Sequence, residues 1–186
     1  AAVLAEALLV VGRVEEAAPM AKFVEDGLVS RFGAAHPRVA AVRLLLALVL
    51  RGQRRLDEAI ALCEEVALGL RGPLGSQHPD VLNTLSTLVV LYGEAERLAG
   101  AVTLGERVTL ALGDSLGAHH PDTLRAAVNL VTAYVHAGRH DMACQLGAKV
   151  TGELCDSLGD DHPEARRSWS ALLEACARRG HWLAAL

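Results

Sequence analysis

Residues 116–130 read LGAHHPDTLRAAVNL, and the His-Pro pair near their centre decides the fold. The same pair occurs four times in the chain of 186 residues, as His36-Pro37, His78-Pro79, His120-Pro121 and His162-Pro163. Each pair follows the one before it at a constant interval of 42 residues. A fixed period of this length is typical of solenoids and arrays, in which each repeat is one supersecondary unit. The sequence therefore predicts a stack of similar units.

The residues around each His-Pro pair predict two helices per repeat. Proline suits the first helical position because its missing N–H would have no partner there, and the histidine before it takes the N-cap place. A glycine that predicts a left-handed end for the preceding helix stands at Gly33, Gly75, Gly117 and Gly159. The first helix of a repeat, helix A, is predicted at about Pro37 to Gln53. The second, helix B, is predicted at about Asp57 to Arg71.

One small residue recurs at the same place in every repeat. It is an alanine, at Ala17, Ala59, Ala101, Ala143 and Ala185. An invariant small side chain indicates a place where two helix axes approach closely. Apolar residues also recur at spacings of three and four in helix A, as in Leu85, Leu88, Val89 and Tyr92. The pattern predicts an all-α fold whose core lies between neighbouring helices.

The composition fits a globular protein rather than a disordered one. Apolar residues make up 52% of the chain and charged residues 22%, and the formal net charge is −4. A chain without a basic excess gives no reason to expect nucleic-acid binding. The longest apolar run, Leu44 to Leu50, is too short to span a membrane, and the start lacks the basic region of a signal peptide. We expect a cytoplasmic protein that does not cross a membrane.

No sequence pattern predicts catalysis or a metal site. The cysteines form no C-x-x-C pair and are interpreted as reduced core residues, with a Cys144–Cys176 bridge left as an alternative. The His-Pro histidines lie one repeat apart, about 10 Å, and are interpreted as helix caps that cannot converge on one metal. Motifs such as H-E-x-x-H and G-x-S-x-G do not occur. We expect a protein that is not an enzyme and uses no cofactor.

The repeated residues resemble the 42-residue tetratricopeptide repeats of kinesin light chains. That family reads L-G-x-x-H-P-D between repeats, N-N-L-A in helix A and G-[KR]-[YL]-x-E-A at the turn into helix B. The matching residues here are Leu158-Gly159, His162-Pro163-Glu164, Asn129-Leu130-Val131 and Arg55-Leu56-Asp57-Glu58-Ala59. The resemblance implies a right-handed superhelical solenoid of antiparallel helix pairs, with about nine to ten helices.

Two positions depart from this family. Its tyrosine early in helix B is replaced by Ala21, Cys63, Gly105 and Gly147. The helix A asparagines with which light chains grip a cargo backbone are reduced to Asn129, and the other places hold Val3, Leu45, Thr87 and Ala171. The chain therefore keeps the structural positions of the family and loses most of its cargo-binding ladder.

The period predicts a single array over residues 1–186. Its full repeats are 36–77, 78–119 and 120–161, and its partial repeats are 1–35 and 162–186. An array normally needs polar capping units at its ends. We therefore expect either that the chain is a segment of a longer protein or that a partner covers its ends.

The resemblance places helix A on the concave face, so the outward positions of helix A predict a binding groove. The candidate groove residues are Leu44, Leu45, Leu48, Asn83, Thr87, Arg125, Asn129, His136, Arg167 and Arg178. Leucines at one end and arginines at the other predict a peptide or protein ligand with apolar anchors and acidic residues. Packing between helices is the alternative for the leucines, and a solvated surface is the alternative for the arginines.

The expected function is a non-enzymatic scaffold or adaptor that holds a peptide or protein segment in this groove. The alternative is an oligomerisation or intramolecular regulatory module. Residues 39–50 are apolar around nearly the whole helix, and such a helix is usually buried on both sides. Self-association, or contact with another domain, would bury it.

Overall fold

Helices A and B alternate through the part of the chain that the structure describes. The computed structural model describes residues 14–33 and 36–179, and side chains at 19–33 and 36–178. Its helices are α1 Val14–Phe32, α2 Pro37–Gly52, α3 Leu56–Leu74, α4 Pro79–Glu94, α5 Leu98–Leu116, α6 Pro121–His136, α7 His140–Leu158 and α8 Pro163–Arg179. The even-numbered helices are A helices and the odd-numbered ones are B helices.

The predicted all-α class is confirmed, and the number of helices is slightly lower than predicted. The described residues hold eight helices instead of nine to ten. Further helices in the predicted number would fall in residues 1–13 and 180–186, which lie outside the described residues. Helix α3 runs three residues beyond its predicted end, to Leu74, and Gly75 follows it as the C-cap.

Each A helix begins at its His-Pro pair, as predicted. Nδ1 of the histidine accepts a hydrogen bond of 3.2 Å from the backbone N–H two residues later, at His36, His78, His120 and His162. The proline follows at the start of the helix. The interpretation of these histidines as helix caps is confirmed, and the same ring atom is occupied in all four copies.

Glycine ends the B helices, but in a more extended conformation than the left-handed turn predicted. The φ and ψ angles are 87° and 158° at Gly75, 98° and 154° at Gly117, and 85° and 156° at Gly159. This region of the backbone map is essentially restricted to glycine. The prediction was right about the residue and wrong about ψ, because the chain leaves the helix towards an extended histidine rather than coiling back on itself.

A second positive φ falls at the turn from helix A to helix B. The position is occupied by Arg54, Glu96 and Gly138, whose φ angles are 62°, 59° and 72°. The matching Gly12 and Gly180 lie outside the described residues. Glycine is therefore not required at this place. One described repeat has it, and two others form the same turn with larger side chains.

Contacts divide the chain into two compact units, Ala1–Leu91 and Tyr92–Leu186, called here the N-terminal and C-terminal units. In the N-terminal unit α2 packs against α1 and α3. In the C-terminal unit α6 packs against α5, α7 and α8, and α7 also packs against α8. Ala59 in one unit, and Ala101 and Ala143 in the other, are completely buried. Their burial agrees with the interpretation that the recurring alanine lies between packed helices.

The four cysteines form no disulfide, and three of them are buried. Burial raises the pKa of the Cys63 thiol to about 12, which keeps it protonated and unreactive. The Sγ atoms of Cys144 and Cys176 lie 3.4 Å apart, which is a thiol–thiol hydrogen bond and too long for a disulfide. These observations agree with the interpretation of reduced core cysteines. No helix within residues 14–33 and 36–179 combines the length and the apolar character needed to cross a membrane.

Candidate functional site

In the N-terminal unit the three candidate leucines differ in exposure. Leu44 is half-buried and packs against a core cluster that includes Val66 and Leu70 of α3. Leu45 is also half-buried, whereas 41% of Leu48 is exposed. Packing between helices therefore accounts for Leu44, and Leu48 has the most surface left for a ligand.

The two candidate polar residues of α4 are both half-buried. The hydroxyl of Thr87 donates a hydrogen bond of 3.2 Å to the backbone carbonyl of Asn83. That bond stays within one helical turn and uses the only hydroxyl hydrogen of Thr87. A ligand at this place would meet an acceptor from Thr87 rather than a donor.

In the C-terminal unit two candidate residues contact each other across the A helices. Nη2 of Arg167 in α8 donates a hydrogen bond of 2.6 Å to Oδ1 of Asn129 in α6. Only 6% of Asn129 is exposed. The one asparagine kept from the family ladder is therefore buried and ties α6 to α8, a contact that sequence spacing did not predict.

The candidate arginines are paired with carboxylates one helical turn away. Arg125 lies 2.7 Å from Asp122, Arg178 lies 2.8 Å from Glu174, and Arg167 lies 3.8 Å from Glu164. About half of each arginine side chain is exposed, and exposed pairs of this kind contribute only about 0–1 kcal/mol. A ligand carboxylate can compete for these guanidinium groups. The surface therefore carries both positive and negative charges, whereas the sequence analysis considered only the arginines.

His136 is exposed at the end of α6 and lies close to Gly93. A Cβ atom added to Gly93 would stand 3.2 Å from Nδ1 of His136. The missing side chain at Gly93 thus makes room for the imidazole. His136 and Arg125 lie on the same side of α6, eleven residues apart, because three helical turns separate them.

A cleft that the sequence analysis missed lies on the other side of α6, between the B helices α5 and α7. Its volume is about 740 Å³. Its apolar walls include Leu110, Leu124, Ala127, Leu130, Met142 and Leu146. One sequence signal could have revealed it: the position of Ala127 holds Arg43, Leu85 and Trp169 in the other repeats. A small residue at a place that is otherwise large leaves the cleft open.

Tyr134 closes one end of this cleft. Its hydroxyl donates a hydrogen bond of 2.9 Å to Oε1 of Glu106. Burial and this bond to an anion raise the pKa of Tyr134 to about 12, so its proton stays in place. Within residues 19–33 and 36–178, no three His, Cys, Asp or Glu side chains come together as metal ligands.

Comparison with known proteins agrees with this geometry. Residues 38–112 match the family model of the tetratricopeptide repeat. Two crystal structures of nearly identical TPR-like repeats, from a Podosopora anserina protein assigned as a kinesin light chain, are 26% identical to the chain. They superpose with TM-scores of 0.77 and 0.75 and cover 98% of this chain and 86% of theirs. The chain therefore has the TPR-like repeat fold of these structures, and they support its resemblance to the repeats of kinesin light chains.

A third structure supports the fold alone. BtubC (BKLC) from P. vanneervenii superposes on the TPR array with a TM-score of 0.78 at 14% identity. The alignment covers 98% of this chain and 73% of that one. No curated protein sequence matches the chain significantly.

Packing explains why this TPR array lacks the tyrosine that the family carries early in helix B. A Cβ atom on Gly147 would stand 3.2 Å from Cδ1 of Leu172 and 3.5 Å from Cγ1 of Val131. At Gly147, α7 approaches α6 and α8 so closely that a larger side chain would have to displace Leu172. Leu172 and Val131 fill the volume that a tyrosine would take.

Proposed function

We propose that this TPR array is a non-enzymatic scaffold that holds a peptide or protein segment against its A helices. Tetratricopeptide repeats generally mediate protein–protein interactions, and residues 38–112 match that family. We further propose one array over residues 1–186, with the repeat boundaries predicted from the 42-residue period. Reduced, buried cysteines favour a cytoplasmic location.

One observation supports a ligand on the A helices of the C-terminal unit. The guanidinium groups of Arg125 and Arg167 are each about 43% exposed, beside the buried amide of Asn129. Arg167 is already oriented by its hydrogen bond to Asn129, so it loses less freedom when it binds a carboxylate. Each such contact is expected to contribute about 1 kcal/mol when partly desolvated.

In the N-terminal unit the proposed ligand contact is apolar. Leu48 is 41% exposed on α2 and Leu45 is half-buried beside it. Two leucines on one helix suit an apolar side chain of an amphipathic or extended segment. The proposed ligand therefore carries both apolar residues and carboxylates.

Selection from a phage-displayed library of random peptides tests this proposal. We expect aspartate and glutamate to be enriched among peptides that bind the full chain. Arg125→Glu combined with Arg167→Glu should abolish that enrichment, while circular dichroism shows unchanged helicity. Arg107→Glu, on the exposed surface of α5, is the matched control. Equal enrichment on both variants would exclude the proposed role of the A helices.

Self-association is the second candidate, because large apolar side chains are exposed in the N-terminal unit. Leu68 on α3 is 72% exposed and Leu48 on α2 is 41% exposed. Sedimentation velocity over the micromolar range distinguishes the two candidates. A dimer that Leu68→Ser or Leu48→Ser dissociates would favour self-association, and a monomer at every concentration would exclude it.

A further inference from the structure

A second surface of the C-terminal unit has the features of a binding site on the B-helix side. We propose that the cleft between α5, α6 and α7 binds a bulky apolar side chain, best a tryptophan, from a basic segment of a partner protein. This surface is separate from the A-helix face. Ala127 is two residues from both Arg125 and Asn129, which places it about 200° away around α6.

In the N-terminal unit, a long side chain occupies the position that Ala127 holds in the cleft. Arg43 of α2 reaches between α1 and α3, with Nε 2.8 Å from Glu25 and Nη1 2.8 Å from Glu65. Two repeats later, these three positions are Ala127, Thr109 and Lys149. All three line the cleft. The long side chain that fills the space in one unit is therefore missing in the other, and the space is open.

The walls of the cleft suit an apolar occupant. Leu110 is 68% exposed and Met142 is 42% exposed, on opposite sides of the opening. Ligand pockets commonly have volumes of about 300–1,000 Å³ and mainly apolar walls. The cleft of about 740 Å³ falls within this range. Methionine adapts to aromatic partners because its thioether is flexible and polarisable.

A hydroxyl group in the wall offers the occupant one hydrogen bond, in which the hydroxyl can accept or donate. Oγ1 of Thr109 is buried and has no hydrogen-bond partner among the described residues. One repeat later, Oγ1 of Thr151 lies 2.7 Å from Oγ of Ser168. Ala126 stands at the place of Ser168, so Thr109 lacks that partner. An indole N–H supplies a donor together with a large apolar ring, and Trp169 occupies the Ala127 position in the last repeat.

The charge around the opening favours basic residues beside the anchor. The lining carries three carboxylates, from Glu106, Asp114 and Glu153, and one ammonium group, from Lys149. Lys149 lies 4.0 Å from Glu153, and Arg139 lies 3.6 Å from Glu106, which leaves the charge of Asp114 uncompensated. Asp114 is exposed and makes no ion pair among the described residues. Lysine or arginine on either side of the tryptophan would reduce the excess negative charge.

Two tripeptides test the proposal by NMR on the full chain with ¹³C-labelled methionine and leucine methyl groups. The probes are acetyl-Lys-Trp-Lys-amide and acetyl-Glu-Trp-Glu-amide, which share the anchor and differ in charge. We expect the basic peptide to shift the methyl signals of Met142 and Leu110, with a dissociation constant on the order of 1 mM. The acidic peptide should bind at least about five-fold more weakly, because like charges meet at the opening.

Two variants test whether the peptide binds in the cleft, and a third tests the role of charge. Ala127→Leu, which copies the residue of another repeat, should remove the shifts, and Ala148→Leu on the exposed side of α7 should leave them unchanged. Asp114→Lys should reduce the preference for the basic peptide without affecting the fold. Binding that survives Ala127→Leu, or an acidic peptide that binds equally well, would overturn the proposal. So would a dimer of the chain that Ala127→Leu dissociates, since the occupant would then be a second copy.

Discussion

The surface of α2 around Arg43 and the cleft over α6 are built from the same positions of the repeat. They differ in the side chains at those positions. Over α2, Arg43 joins Glu25 and Glu65 by contacts of 2.8 Å. Over α6, an alanine stands at the place of Arg43, and the cleft is open. The comparison shows that the repeat does not need this position to fold. Capping histidines, extended glycines and buried alanines define the hairpin, which leaves the cleft free to change.

The burial of the Glu25 carboxylate explains why the surface over α2 needs the side chain of Arg43. Only 6% of Glu25 is exposed. Burial alone raises the pKa of Glu25, but hydrogen bonds from Lys22 and Arg43 outweigh it and hold the pKa below its usual value. The matching Thr109 is neutral and needs no counter-ion. The ion pair over α2 therefore compensates the charge of Glu25. The cleft over α6 has no charge at the matching position, Thr109.

The largest effect is expected from Arg43→Ala. It removes the long-range partner of a buried carboxylate, and such a loss costs about 3–5 kcal/mol when no other partner is present. Because Lys22 remains 2.8 Å from Glu25, we expect a loss of about 2–4 kcal/mol in the free energy of unfolding. Urea denaturation followed by circular dichroism measures it. Glu65→Ala is the control, since Glu65 is 64% exposed and should cost less than about 1 kcal/mol.

The stabilisation by the ion pair of Arg43 with Glu25 should decrease in acid. The pKa of Glu25 is lower in the folded protein than in the unfolded chain, so its contribution is complete above the unfolded value and is lost as the pH falls through the folded value. The stability difference between the native chain and Arg43→Ala should therefore narrow when urea titrations are repeated below the ordinary glutamate range. A constant difference at every pH would contradict this account of the ion pair.

Transfer of the ion pair to the second cleft should show a smaller effect. Thr109→Glu places a carboxylate in the wall of the α6 cleft and should cost about 1–3 kcal/mol, because the desolvated charge lacks the arginine that pairs with Glu25 in the first unit. Adding Ala127→Arg should recover most of that loss. A double-mutant cycle measures the coupling between the two sites. Additive losses would mean that the two clefts differ in more than these side chains.

The smallest effect is expected from Ala126→Ser. The new hydroxyl copies Ser168, which lies 2.7 Å from Thr151 in the next repeat, and it gives Thr109 a partner. The hydrogen bond should contribute about 1 kcal/mol, offset by burial of a second hydroxyl, for a net change below about 0.5 kcal/mol. Ser168→Ala, which leaves Thr151 unpaired, should cost about 1–3 kcal/mol in the same denaturation assay.

Much of the fold follows from the period, because local chemistry sets each boundary. The proline and histidine at 120–121 define where α6 begins, and Gly159 defines where α7 ends, without reference to any other part of the chain. The surfaces depend on contacts between helices. The bond from Arg167 to Asn129 joins residues 38 positions apart, and no helical periodicity predicts it. The cleft depends on an absent side chain at Ala127, which only a comparison between repeats can reveal.

The turn from helix A to helix B has a consequence for how the repeats open. Arg54 and Glu96 adopt positive φ angles that favour glycine, whereas Gly138 adopts the same turn freely. A larger side chain in this conformation costs about 1 kcal/mol. Stability in a repeat array is close to a sum of local terms, so each penalty acts on its own hairpin. We therefore expect the turns at Arg54 and Glu96 to open more readily than the turn at Gly138, and hydrogen exchange measures this difference.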